Sequence, residues 1–409
     1  MNLHSLFAWR YFNAKKSVNA INVIAWISIL AIVIGTAALI LVLSVFNGFE
    51  DLVKSLYSSF YTDLKISPSS GKTITLTKQQ LEQLKGTGGI KNFSLVIEEK
   101  AFLQNGESQS IINMKAVDDN YRYVSGVSDH LIKGEYDLGT ADEPKLILGA
   151  GIENALNVQA DHNIFALQMY LPRRSNSGLN DPTDNISIDT IHTSASFVIQ
   201  QDFDNKYGIT NIDFARRALR YGPEEYSGIE IKLNDPSNAD NVKKKLQKIF
   251  GSGYNVQNRF QQNQSLYSVM NMERWVIYGV LSLILIVAAF TMISALRMLI
   301  LEKQKDINVL YALGGNKAFI QKIFLSEGLL LAVIGGVTGM LIALVIALLQ
   351  LKYHLIPLQG GSFLIDYFPV KLQWTSFLLV GATVFIISLI ASWLPSRRVL
   401  EQEFSLRSE

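Results

Sequence analysis

Gly71-Lys72-Thr73 has the ending of a phosphate-binding loop, but that loop needs a glycine five positions before its second glycine, and Ile66 stands there. The five histidines, His4, His130, His162, His192 and His354, fall at no metal-ligand spacing such as H-E-x-x-H. His192 lies in a strand-like run with Ser194 and Ser196, yet no serine sits in a G-x-S-x-G elbow. Carboxylates are scattered rather than paired in apolar surroundings. The absence of cysteine excludes thiolate catalysis, thiolate metal sites and disulfides. The residues therefore name no catalytic centre and no metal site, and the chain is not expected to be an enzyme.

Chemistry of another kind is carried by the apolar runs. Residues 21–46, 275–296, 328–351 and 372–394 contain no charged side chain. Each exceeds the roughly 18 residues at which a membrane helix becomes the default reading. At about 1.5 Å per residue the first run reaches about 39 Å, more than the roughly 30 Å hydrocarbon core. It is also too long for the apolar stretch of a cleaved signal peptide, so an uncleaved anchor is expected. Short flanks rich in Lys and Arg mark the cytoplasmic side. Arg10, Lys15 and Lys16 precede the first run, and Arg297, Lys303, Lys305, Lys317 and Lys322 lie between the second and third. Arg397, Arg398 and Arg407 follow the fourth, whereas only Lys352 and Lys371 separate the third from the fourth. Both termini are then cytoplasmic.

The expected fold class is an α-helical membrane protein with four transmembrane helices and a large α+β extracytoplasmic domain. Its transmembrane helices cover 21–46, 275–298, 323–351 and 372–394. A cytoplasmic segment, 1–20, comes first, and the outer domain with stalk extensions spans 47–274. A cytoplasmic loop over 299–322, a short outer loop over 352–371 and a cytoplasmic tail over 395–409 complete the plan. The net charge of +2 gives no reason to expect nucleic acid.

Helical periodicity does not stop with the first apolar run. Beyond Asn47-Gly48-Phe49-Glu50-Asp51, the apolar residues Phe49, Leu52, Val53, Leu56 and Tyr57 recur at helical spacing, so the helix is expected to continue, amphipathic, past the bilayer. Phe260, Leu266, Tyr267, Met270 and Trp275 predict a similar extension before the second run. Between them, 62–67 reads as a strand and the next segment as a helix with Thr77 and Gln80 spaced as a capping box. Asn105-Gly106 reads as a hairpin turn. A second strand–helix–strand pattern runs from about 226 to 260. Two β-α-β units thus bracket a middle portion, roughly 120–200, expected to hold a second subdomain. Within it Tyr170–Ile188, with Pro172, Gly178 and Pro182, reads as a projecting loop. Pro172, Arg173 and Arg174 are its candidate contacts for a partner.

The cytoplasmic loop is predicted to hold a short amphipathic helix. Ile307, Leu310 and Tyr311 share a face, with Val309 and Leu313 adjacent. Gly314-Gly315 supplies a stop and Asn316 a cap for the next helix. Such a helix could lie on lipid or fit a groove on a cytoplasmic partner. Glu327 is expected at the membrane edge in an interfacial contact, and Gly335 and Gly339 form a G-x-x-x-G pair suited to close helix packing.

"SILAIVIGTAALILVLSVFNGFE" resembles the first-helix signature of the LolC/LolE lipoprotein-releasing permeases, with Asn47–Glu50 its most specific part. "EKQKDINVLYALGGNKAFIQKIFLSEG" resembles the coupling segment shared by FtsX-like and MacB-like permeases, although Tyr311 stands where a basic residue is usual. "WLPSRRVLEQEF" is similar to their closing segment. The resemblance covers the whole four-helix plan and implies a MacB-like periplasmic core in the inner membrane of a double-membraned bacterium.

What the resemblance implies is the permease of an ABC transporter that binds no cofactor itself. ATP and Mg would be bound by a partner ATPase dimer, touched by Asp306, Ile307, Val309, Leu310, Leu313 and Gly314. A second permease copy or paralogue, a periplasmic lipoprotein carrier, the lipoprotein cargo and membrane lipid are the other implied partners. Val42, Val45, Phe46, Phe49, Tyr267 and Met270 are candidates for lining an acyl-chain cavity. MacB-like efflux of peptides or drugs and FtsX-like signalling to wall hydrolases remain open alternatives.

Overall fold

The computed structural model describes residues 19–161, 166–173, 185–358 and 365–401. These fall into two compact units, one made of 19–52, 268–358 and 365–401, the other lying within 53–267.

The first unit is helical. Helix α1, Asn19–Phe60, runs 42 residues without a break and contributes its later turns to the second unit. No proline interrupts it, and its two glycines lie at close contacts rather than at an end. At about 1.5 Å per residue it extends about 63 Å, roughly twice the hydrocarbon thickness. Three more long helices, Gln264–Glu302, Lys317–Tyr353 and Trp374–Glu401, are also apolar and long enough to cross a membrane. Large apolar side chains such as Trp26, Val287, Phe290 and Leu378 stand exposed on the apolar helices, as a lipid surround or a partner helix allows.

Small residues set the helix crossings. A Cβ at Gly335 would stand 2.9 Å from Ile32 Cγ2, and one at Gly339 would stand 2.7 Å from the Val33 carbonyl oxygen. The G-x-x-x-G pair thus lets two helices touch at backbone distance. Gly328 is pressed in the same way against Ser392. Its neighbour Glu327 is buried inside this bundle, and its Oε2 atom has no hydrogen-bond partner. The expected interfacial contact for that carboxylate is therefore not what forms.

The second unit is built on a ten-stranded mixed sheet, with strand order β10-β1-β9-β2-β3-β8-β5-β7-β4 and β6 pairing β2 and β7. The strands are β1 (Leu64–Pro68), β2 (Ile90–Asn105), β3 (Ser108–Val117), β4 (Leu131–Gly134), β5 (Lys145–Gly149), β6 (Ala166–Pro172), β7 (Ile186–Phe197), β8 (Tyr207–Asn211), β9 (Gly228–Leu233) and β10 (Tyr254–Asn258). The description as an α-helical membrane protein accordingly fits only the apolar helices, and this unit supplies the expected α+β domain.

Both β-α-β patterns form, but interleaved. Helix α2, Lys78–Gly86, joins β1 to β2, with the Thr77–Gln80 capping box present. A later helix, α3 (Ala239–Phe250), joins β9 to β10 and buries Val242, Leu246 and Phe250 at every fourth residue. Each unit's two strands are separated by one strand of the other, giving the split arrangement β10-β1-β9-β2.

The middle portion is continuous with this sheet rather than a separate subdomain. The reason is β2, whose 16 residues pair β9 near Val96 and β6 at Phe102–Gln104. The hairpin after β2 is also one residue from its expected place. Asn105 pairs with Ser108, so Gly106 and Glu107 form the loop, and only Gly106 needs positive φ (+59°), the mark of a type II′ turn.

Candidate functional site

Three places gather the residues that a membrane transmission element would use. The first is the segment between two of the apolar helices. Helix α4, Gln304–Ala312, ends where the Gly314 N–H donates to the Tyr311 carbonyl (3.0 Å) and that of Gly315 to Leu310 (2.9 Å). Gly314 has φ +93°, so glycine is needed there. Asn316 then caps the following helix, α5 (Lys317–Tyr353), by accepting from the Phe319 N–H at 2.7 Å.

Ile307 is buried with Ile300, Ile320 and Phe324 and fastens α4 to its neighbours. Asp306, Val309 and Gly314 are exposed, Leu310 is half-buried, and Leu313 is 80% exposed. Five of the six expected coupling residues therefore present surface, and the sixth holds the helix in place.

The second place is the junction where the first apolar run ends. Asn47 is 2% exposed, and both its amide nitrogen and its amide oxygen are bonded. Its Nδ2 donates to Ser376 Oγ (3.0 Å), and its Oδ1 accepts from Arg274 Nη2 (2.9 Å). The same Arg274 nitrogen donates to Glu50. A Cβ on Gly48 would stand 2.4 Å from the Pro369 carbonyl oxygen, so only glycine fits. Phe49 meets Phe368 edge to face at 5.9 Å, Lys371 pairs with Asp51, and the Lys371 N–H donates to the Ser44 carbonyl at 2.9 Å.

Every residue of Asn47–Asp51 thus meets one or both of two remote segments, Arg274 and residues 368–376. The motif ties α1 through Arg274 to the next long apolar helix, α6 (Gln264–Glu302), and to the segment entering the last, α7 (Trp374–Glu401). The long helix before α4 begins at Gln264. A separate turn, Arg259–Gln262, precedes it, so the expected extension is interrupted at Asn263.

The third place is the final turn of α1, within the second unit. Phe60 stacks on Phe203 (4.3 Å) and lies under Lys115, whose Nζ is 4.7 Å from the ring centroid. Tyr57 donates its hydroxyl hydrogen to Asp202 at 3.1 Å. Lys115 and Glu230 are both buried and pair at 2.7 Å, and Lys115 also reaches Glu98 at 3.1 Å. Lys65 completes the group at 2.8 Å from Glu98. Burial opposes the charges on Glu98 and Lys115. The two ammonium groups outweigh it at Glu98 and hold that carboxyl down at about 2, while Glu230 outweighs it at Lys115 and raises the ammonium well above the ordinary lysine range.

Of the six candidate cavity residues, some pack on neighbouring rings and others stand at the surface. Phe46 lies beneath the Arg274 guanidinium at 5.9 Å, Phe49 packs on Phe368, and Tyr267 packs on Phe260 at 4.6 Å. Val42 is exposed, and Val45 and Met270 are half-buried. Pro172 pairs with Ile186 across the β6–β7 hairpin. Arg173 donates to Ser187 Oγ at 3.0 Å, which fixes it to the hairpin stem. Arg174 and the loop beyond it, like His4 and His162, lie outside the described residues. No group of histidine and carboxylate residues suited to a metal occurs among the described residues. The Asn47 knot and the Lys115 cluster were not assembled from sequence. A glycine and an asparagine at the end of an apolar run, and a lysine in an apolar strand, were their only signals.

Residues 25–162 match the MacB-like periplasmic core domain family and 278–404 the FtsX-like permease C-terminal family. Over 410 residues the chain is 26% identical to the lipoprotein-releasing system transmembrane protein LolE of Haemophilus influenzae (strain Rd), covering 97% of each chain. It is 27% identical over 413 residues to the corresponding LolC of Neisseria meningitidis serogroup B (strain MC58), again over 97% of each. Among solved structures, the periplasmic region of MacB from Actinobacillus actinomycetemcomitans aligns with 53% of this chain and 98% of its own, at 12% identity and a TM-score of 0.35. From end to end the chain is thus similar to the LolC/LolE-type permeases, with the MacB-like and FtsX-like regions following one another in order.

Proposed function

We propose that this chain is the membrane subunit of an ABC transporter that lifts lipoproteins from the outer leaflet of the inner membrane and passes them to a periplasmic carrier. Both termini and α4 face the cytoplasm, where a separate ATPase dimer grips α4. A second permease, a copy or a paralogue, completes the assembly. ATP and its Mg ion are held by the ATPase, and this chain performs no chemistry.

The observation that carries the mechanism is the unbroken helix Asn19–Phe60. Its first part is an anchor, its middle is knotted to two other helices at Asn47–Asp51, and its last turn is seated in the folded domain. Displacement produced at α4 can therefore be used on the far side of the membrane. The likeness to LolE and LolC supplies the cargo. Lipid burial is worth roughly 0.8 kcal/mol per methylene, so withdrawing several acyl chains costs tens of kcal/mol and needs a driven motion. The β6–β7 hairpin, through Pro172, Arg173 and Arg174, is the proposed carrier contact.

The test is reconstitution of the chain with its co-purifying ATPase in vesicles loaded with a lipoprotein. ATP should transfer the lipoprotein to soluble carrier. ATP hydrolysis with no transfer, alongside export of small peptides or activation of a wall hydrolase, would overturn the reading.

A further inference from the structure

Beside the Asn47 junction lies a cleft of about 180 Å³. At about 30 Å³ per water molecule it has room for roughly six waters. We propose that it binds the phosphodiester and glycerol region of a membrane phospholipid. This rests on the reading above, in which the four apolar helices span the bilayer.

The cleft changes chemistry along its length. Asn271, Arg274, Gln373 and Thr375 line its polar part, and Leu43, Tyr278 and Leu379 its apolar part. These positions fall at the ends of three charge-free runs, 21–46, 275–296 and 372–394. That is the depth at which hydrocarbon gives way to headgroups.

Two independent features favour an anion there. The Arg274 guanidinium spends Nη2 on Asn47 and Glu50, but its planar fork carries five N–H groups, so others remain for a phosphate. Helix α7 begins at Trp374; the N–H groups of Ser376 and Phe377 already donate to the Gln373 carbonyl, and those of Trp374 and Thr375 ahead of them carry the positive end of a 28-residue helix beside Gln373. Around the site Arg274 and Lys371 are balanced by Glu50 and Asp51, so a free phosphate ion gains little from long-range attraction. A phosphodiester attached to acyl chains gains the apolar wall as well.

The experiment uses the full chain with its ATPase partner in mild detergent, counting retained phospholipid by lipid phosphorus and mass spectrometry. Thr375→Asp places a negative charge in the polar part while favouring the start of α7. Leu379→Trp fills the apolar part. The wild-type protein should retain about one phospholipid, each variant should retain at least tenfold less, and Thr375→Asp should melt no lower than wild type. Millimolar inorganic phosphate should not displace the lipid. Equal retention in both variants would overturn the proposal. So would release by inorganic phosphate, which marks a simple anion pocket, or recovery of only phosphorus-free lipoprotein lipid. Lipoprotein transfer measured in parallel separates the two ideas: transfer without a retained phospholipid removes only this site, and retention without transfer removes only the proposed function.

Discussion

Gly48 shows how much one missing methyl group can decide. The Pro369 carbonyl occupies the place of its side chain, and backbone on both sides leaves nothing flexible to yield. Gly48→Ala is therefore expected to cost about 1–3 kcal/mol by overpacking, more than alanine's helix propensity returns. A lower melting temperature of the purified permease would register this, and a temperature at or above that of wild type would refute it. Asn47–Glu50 stood out in the sequence as a motif, but its meaning did not, because Arg274 and Ser376 lie 227 and 329 residues further along. Lys115 was equally opaque: its strand was legible, whereas Glu230 comes 115 residues later. The buried cluster makes its own prediction. Glu98 titrates at about 2 when folded, against 4.5 ordinarily, so it contributes stability that is complete above about pH 4.5 and lost as pH falls towards 2. With Glu98 about one-third exposed, that contribution is on the order of 2 kcal/mol after screening. Acid titration of melting should be shallower between pH 4.5 and 2 for Glu98→Gln than for wild type, and parallel curves would remove the role assigned to Lys65 and Lys115.

Elements were more legible than contacts wherever one local rule governs them. Gly314 and Asn316 ended one helix and capped the next as their residue types required, and the G-x-x-x-G spacing produced a close crossing. Periodicity also placed a short amphipathic helix at 304–312 but could not say which apolar residues face inward. Ile307 turns into the bundle, and Val309 and Leu313 are left on the exposed side. Leu313→Asp is therefore the sharper test of ATPase docking, since so exposed a side chain contributes little to the fold. The charge should abolish co-purification of the ATPase while the unfolding free energy stays within about 0.5 kcal/mol of wild type. Retained ATPase would show that α4 rests on lipid instead. The turn at Gly106 was misread by one residue because an Asn-Gly pair suits a type I′ loop, and the strand register chose Gly106-Glu107 instead.

At the scale of the whole molecule, the interleaved β10-β1-β9-β2 sheet could not be read in advance. Its two β-α-β units are separated by the whole middle portion, and no local signal says that each will insert a strand into the other. The long first helix was legible, because its apolar and amphipathic halves share one period. Its continuity makes the decisive prediction. Glu50 is a poor site for a helix-breaking test, since its carboxylate holds Arg274 and its loss would loosen the knot as well as the rod. Ser55 is exposed and lies between the knot and the seat of Phe60. Ser55→Pro removes one helical hydrogen bond and clashes with the carbonyl of the preceding turn, at about 3 kcal/mol or more. Ser55→Ala leaves the rod intact. In vesicles containing the ATPase, ATP hydrolysis should persist in both variants, because α4 is untouched. Lipoprotein transfer should continue with alanine and fall at least tenfold with proline. Equal transfer by the two would mean that the helix only anchors the domain, and that movement reaches the cargo by another route.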